Sequence, residues 1–152
     1  VWGNLKEGGT IVKNVGRSPK NRKIMTVFEE DSEGKIAITH YKPLKNYGIV
    51  TLIECRLETG RTHQIRVHLQ SIGHPLFNDP EYGGNKVLRS NLSGAQRALI
   101  EKTLFLLPGQ ALHAKTLGFK HPETGELLSF DSDLPEKFQE VLNFWSNTPF
   151  GI

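Results

Sequence analysis

An apolar run closing at Leu57 gives way within a few residues to apolar positions at helical spacing, Ile65, Leu69 and Ile72. The chain must therefore pass from a strand through a tight turn into a short helix. Gly60 permits the turn, Thr62 is placed to cap the helix, and Gly73 with Pro75 stops it. Two arginines and three histidines fall on this junction: Arg61, His63, Arg66, His68 and His74. Arg61 stands just ahead of the first turn, where free N–H groups and the positive helix end already favour phosphate or carboxylate, and Arg66 stands one turn further in. The pattern suits a site that handles anions. The plainer alternative is an amphipathic helix with a solvated basic face.

The rest of the chain reads as α+β, mainly antiparallel sheet with helices packed on it. Thr10 to Val15 and Lys23 to Phe28 flank a loop marked by Gly16, Ser18, Pro19 and Asn21, and Lys35 to Pro43 with Ile49 to Glu58 predict a hairpin around Lys45-Asn46-Tyr47-Gly48. A helix is expected from Thr62 to Ile72. The stretch from Pro75 to Asn91, rich in Gly, Pro and Asn, is expected to be an ordered loop. A second helix is predicted from Ser93 to Lys102, with Ser93 capping and Ala95, Ala98 and Leu99 inward. Ala111 to His121 and Glu126 to Asp131 predict a second hairpin. A last helix starts near Leu134-Pro135, its core stripe being Phe138, Val141, Leu142 and Trp145. No repeat or linker divides the chain, and 152 residues suffice for one domain or most of one.

Charge narrows the partners. The net charge is +3, yet residues 1–75 carry 12 Lys/Arg against 7 Asp/Glu and residues 76–152 carry 7 against 9. The basic half is expected to face a polyanion. Lys13, Arg17, Lys20, Arg22 and Lys23 follow one another with no acidic residue between Thr10 and Phe28, so Arg17, Arg22 and Lys23 are candidates to clamp phosphates. No apolar run approaches the roughly 20 residues of a membrane span. A single cysteine, Cys55, excludes an internal disulfide and points to a cytoplasmic protein, with the thiol packed in its strand.

The word Thr59-Gly60-Arg61-Thr62-His63-Gln64-Ile65-Arg66-Val67-His68 resembles the third sequence motif of the RluA-type pseudouridine synthases, which isomerise uridine in ribosomal and transfer RNA. Gly73-His74-Pro75, Asp79 with Tyr82-Gly83, Leu112-His113-Ala114, Leu117, Phe119, His121-Pro122 and Gly125 continue that pattern downstream. Gly16-Arg17, Met25, Val27, Ala37 and Thr39-His40-Tyr41 continue it upstream. At position 78 stands an asparagine where many relatives have glycine.

The resemblance implies that Arg66 pairs with a catalytic aspartate, keeping it ionised where water is scarce. A guanidinium suits that task because its planar fork grips both carboxylate oxygens. It also implies an RNA partner and no cofactor, since the reaction is an internal rearrangement; Arg61 is a candidate to contact the RNA, and His63 with Gln64 either braces the turn by hydrogen bonds to backbone or holds an RNA phosphate. The family's nucleophile lies in a His-Arg-Leu-Asp segment, and no such segment occurs here. Asp31, Asp79, Asp131 and Asp133 all sit in other contexts. The expectation is that residues 1–152 form the C-terminal portion of a synthase catalytic domain, inactive alone. Arg66 is then a cation without its partner, expected to be solvated or to hold a stray anion. The alternative is a non-catalytic RNA-binding module that kept the scaffold. Zinc is disfavoured, because His63 and His68 stand about 140° apart around a helix and no Cys pair supports them.

Overall fold

A computed structural model describes residues 1–29 and 33–148. Asp31 lies outside them. Along the chain come β1 (Gly9–Arg17), β2 (Met25–Phe28), β3 (Lys35–Asn46), β4 (Thr51–Leu57), α1 (Gln64–Ser71), α2 (Gly94–Leu106), β5 (Thr116–Lys120), β6 (Leu127–Asp131) and α3 (Glu136–Ser146). The first four strands form one antiparallel sheet in the order β2-β1-β3-β4, and β5 with β6 forms a separate two-stranded hairpin. The fold is α+β, as the alternation of short strands and helical stripes requires.

Period two decides which face of the large sheet is covered. Ile11 and Val15 of β1 and Ala37 and Thr39 of β3 are buried together, and α1 lies across them through Val67 and Leu69. Burying the Ile, Val and Leu side chains among them contributes about 1.5–3 kcal/mol each. A second core gathers Trp2, Ile49 and Val50 beside the β3–β4 turn with Ile100 of α2 and Val141 and Trp145 of α3. Phe77 is its hub, 5.1 Å from the Trp2 ring and 6.1 Å, edge-on, from Trp145. The expected α3 stripe is therefore core. Both cores meet the loop between α1 and α2, which holds Leu76, Phe77 and Tyr82 buried.

Several local expectations need correction. α1 begins at Gln64, and Thr62 does not cap it. The residue ahead of the helix is His63, in the left-handed region at φ 54°, with no side-chain cap. Gln64, the first helical residue, instead folds its side chain back onto the turn, accepting from the Thr59 hydroxyl and the Arg61 N–H. In α2, Ser93 does cap, forming a reciprocal pair with Gln96, and the helix runs on to Leu106. Ala95 and Ala98, however, face solvent, and Ile100 and Thr103 are the buried positions. The reason is that, among the described residues, α2 packs along one side, against α3 and the core around Phe77, so a single narrow stripe is covered. β5 starts at Thr116 rather than Ala111.

Asn78 has φ 59°. That conformation costs glycine nothing and asparagine little. Here the asparagine adds something a glycine could not, because its Nδ2 donates to the carbonyls of Leu104 and Leu107 at the C-terminal end of α2. Those are carbonyls a helix end leaves without an internal partner.

Candidate active site

The strand-turn-helix junction is held together by one amide. Gln64 is buried, and its Oε1 accepts from the Thr59 hydroxyl at 2.8 Å and the Arg61 backbone N–H at 2.9 Å. Its Nε2 donates to the Ile38 carbonyl and the Thr39 hydroxyl, both at 3.0 Å. Gln64 thus ties the turn to β3. It is a brace, with its amide spent inside the protein. His68 is wholly buried behind it, paired with Thr39 Oγ1 at 2.9 Å. Burial lowers the pKa of its imidazole, and the Lys13 backbone carbonyl only partly offsets this.

Arg66 projects inward from α1. It is buried, and it is not alone. Its Nε donates to Asp79 Oδ2 at 2.8 Å and its Nη2 to Asp79 Oδ1 at 2.7 Å, a fork-on-fork pair with a carboxylate that is completely buried. Glu81 Oε2 lies 2.6 Å from the same Nη2, and the Tyr82 ring centroid is 4.8 Å from the guanidinium carbon. The hydrogen bonds from Arg66 to Asp79 hold its pKa above the usual value against the opposing effect of burial. The expectation of a solvated or stray-anion-bound Arg66 is overturned. The loop after α1 returns Asp79, thirteen residues on, to the point where a buried cation requires compensation. The solvated basic face is excluded with it, since Gln64, Arg66, Val67, His68 and Leu69 are all buried.

Asp79 is itself fixed by the backbone. Its Oδ1 also accepts the N–H groups of Glu81 and Tyr82, and its carbonyl accepts from Gly84 at 2.7 Å. Gly84 has no room for a side chain, because a Cβ there would stand 1.8 Å from the Leu76 carbonyl oxygen. With both carboxylate oxygens occupied and no exposure, Asp79 is a structural partner of Arg66.

Tyr82 links this cluster to the basic loop. Its hydroxyl accepts the Met25 N–H at 3.1 Å and is hydrogen-bonded to His63 Nδ1 at 3.0 Å. The left-handed turn at His63 is what aims the ring there. Met25 opens β2 directly after the loop that carries Arg22 and Lys23, and it pairs across the sheet with Arg17, the last residue of β1. All three are exposed, and Arg17 Nη1 donates to the Arg22 carbonyl. Arg61 is half-buried, its Nε bonded to the Ile36 carbonyl at 3.1 Å. The structure therefore joins Arg66 and His63 through Tyr82 and sets Arg61 and Gln64 on the neighbouring turn, whereas Arg17 ends β1 and Arg22 and Lys23 stand on the loop that leads from it into β2. A cavity of about 300 Å³ between Trp2, Gly3, His74 and Arg89 does not include Arg66.

Two partners of Arg66 were not legible in advance. Asp79 followed by Pro80 does signal a turn in which the aspartate accepts N–H groups two and three residues on. Nothing local says that the same carboxylate reaches back to α1. Among the described residues, no group of three or more His, Cys, Asp or Glu is placed to hold a metal ion, and no helix is long and apolar enough to cross a membrane.

Comparison with known proteins places this arrangement. Residues 2–71 match the RNA pseudouridylate synthase family. The chain is 49% identical over 144 residues to an uncharacterized RNA pseudouridine synthase of Chlorobaculum parvum, covering 93% of this chain and 44% of the relative. It is 42% identical over 149 residues to ribosomal large subunit pseudouridine synthase D of Nitrosomonas europaea, covering 98% of this chain and 40% of the relative. In three dimensions it superposes on human RNA pseudouridylate synthase domain containing 4 with a TM-score of 0.67 at 24% identity, over 96% of this chain and 59% of that one. The last match speaks for the fold alone. The chain belongs to the RNA pseudouridine synthase family. Within that family it is of the RluA type, the group to which its ribosomal large subunit relatives point. It spans less than half the length of those curated relatives.

Proposed function

We propose that this chain supplies the arginine side of an enzyme that isomerises uridine to pseudouridine in RNA. The reaction breaks the bond from ribose C1′ to the base nitrogen, turns the base, and rejoins C1′ to carbon. A carboxylate attacks or deprotonates the sugar, and its pKa must stay low in a site poor in water. The 152 residues contain no His-Arg-Leu-Asp segment, so in this reading the carboxylate comes from polypeptide outside them. Arg66 is the group that meets it.

The observation that carries the reading is the state of Arg66. The guanidinium is pre-positioned before any nucleophile arrives, with Nε and Nη2 committed to Asp79, while Nη1 has no partner among the described residues. Preorganised charge costs no rearrangement at the moment of reaction. RNA is the substrate class, held through phosphates by Arg17, Arg22 and Lys23, with Arg61 and His63 nearer the reacting nucleotide and Gln64 acting through the turn it braces. The target uridine is turned out of its stack to reach the site.

The test uses the hydrogen at C5, which leaves the base when C5 bonds to C1′. RNA tritiated at uridine C5 should release no label with the 152-residue chain alone. A chimaera that joins this chain to the remaining length of its Chlorobaculum parvum relative should release it. In that chimaera Arg66→Ala should abolish turnover and Arg66→Lys retain little, with the fold intact by circular dichroism. Label release by the chain alone, or near-normal turnover for either variant, refutes the proposal.

A further inference from the structure

The two carboxylates on Arg66 are held very differently. Asp79 is completely buried and bound through two guanidinium contacts and two backbone N–H groups. Glu81 has a side chain 42% exposed, leaning on Nη2 at 2.6 Å and standing 3.8 Å from His63 Nδ1. Tyr82 lies against the guanidinium face. Asp79 occupies the edge made by Nε and Nη2, so the edge made by Nη1 and Nη2 is the one where another carboxylate can be gripped through two parallel bonds. Glu81 stands against Nη2, the nitrogen that this edge shares with the one Asp79 holds.

We propose that Glu81 is an exchangeable occupant of Arg66. It shields the Nη1–Nη2 edge while no other carboxylate is there, and it swings into solvent when one arrives. Asp79 and Tyr82 keep the guanidinium plane fixed throughout. This rests on the reading that Arg66 meets a catalytic carboxylate, and deepens it by naming the group that must leave. A third carboxylate would place three negative charges around one positive charge, and like charges at such separations disfavour one another's ionised forms. The least anchored carboxylate gives way. Asp79 cannot move without stranding two backbone donors. Glu81 can, because its backbone N–H stays on Asp79 Oδ1 while only its side chain rotates, and a half-exposed ion pair is weakly held.

The probe is acetate, added to the 152-residue chain, with the Arg66 Nε–H resonance followed by nuclear magnetic resonance. Glu81→Gln keeps the size of the side chain and removes its charge. Acetate should bind it about fivefold more tightly than the unsubstituted chain, the factor an ion pair of this exposure allows. Arg66→Met should show no acetate-dependent shift in the Tyr82 ring, which lies against the guanidinium. Backbone spectra that match outside residues 60–84 establish that each variant is folded. Equal affinity with and without the Glu81 charge, or no response at Arg66 in Glu81→Gln, overturns the proposal. Either result leaves the role of Arg66 in turnover to the chimaera assay, which does not depend on acetate.

Discussion

Replacing Asp79 by alanine asks how much of the fold rests on one buried ion pair. The substitution removes two charge-assisted hydrogen bonds to Arg66 and leaves the N–H groups of Glu81 and Tyr82 without the acceptor they share. Breaking a buried pair from one side costs about 3–5 kcal/mol, because the remaining charge is stranded. Glu81, 2.6 Å from Nη2, still offsets part of that charge. The expected loss is therefore near the lower end, about 3 kcal/mol, or a melting temperature lower by about 6–12 °C for a chain of this size. Urea denaturation followed by circular dichroism measures it. Glu81→Ala is the internal comparison, and its half-exposed pair should cost less than about 1 kcal/mol. Arg66→Met combined with Asp79→Leu should recover much of the single-variant loss, since removing both charges strands neither. A loss below about 1 kcal/mol for Asp79→Ala would mean that the pair is not the anchor described here.

Charge reversal at Arg17, Arg22 and Lys23 should weaken RNA binding and flatten its dependence on salt. The log–log slope should fall by about 2 if three phosphate contacts of a single strand are lost, and an unchanged slope in filter binding would exclude the loop. Burial lowers the pKa of the His68 imidazole, so an unfolded chain takes up a proton that the folded one refuses as pH falls below the ordinary imidazole value, and stability should fall there. Urea midpoints at pH 5.5 and 8 test this. Cys55, whose thiol is pushed up to about 11 mainly by burial, should react with iodoacetamide at pH 8 far more slowly than in urea. Equal rates would place it in open solvent.

What could be read from the residues follows the range of the interactions. The strands, the α3 stripe and the Ser93 cap depend on neighbours a few positions away, and the sequence displays them directly. Thr62 misled because the helix starts one residue later than its position suggests, behind a left-handed His63, and the turn is held instead by Gln64, which finds its acceptors on β3, 25 and 26 residues earlier. Ala95 and Ala98 misled because helical period says which residues share a face and nothing about how wide a partner covers it.

The sequence by itself determined the class of fold and the family, and it singled out Arg66 as the arginine to follow. Only the tertiary structure decided that this arginine is already neutralised. A buried guanidinium requires an anion, but any of several carboxylates along the chain satisfies that requirement. The choice of Asp79 follows from the packing of Leu76, Phe77 and Tyr82, which closes the loop and carries the carboxylate back beneath α1.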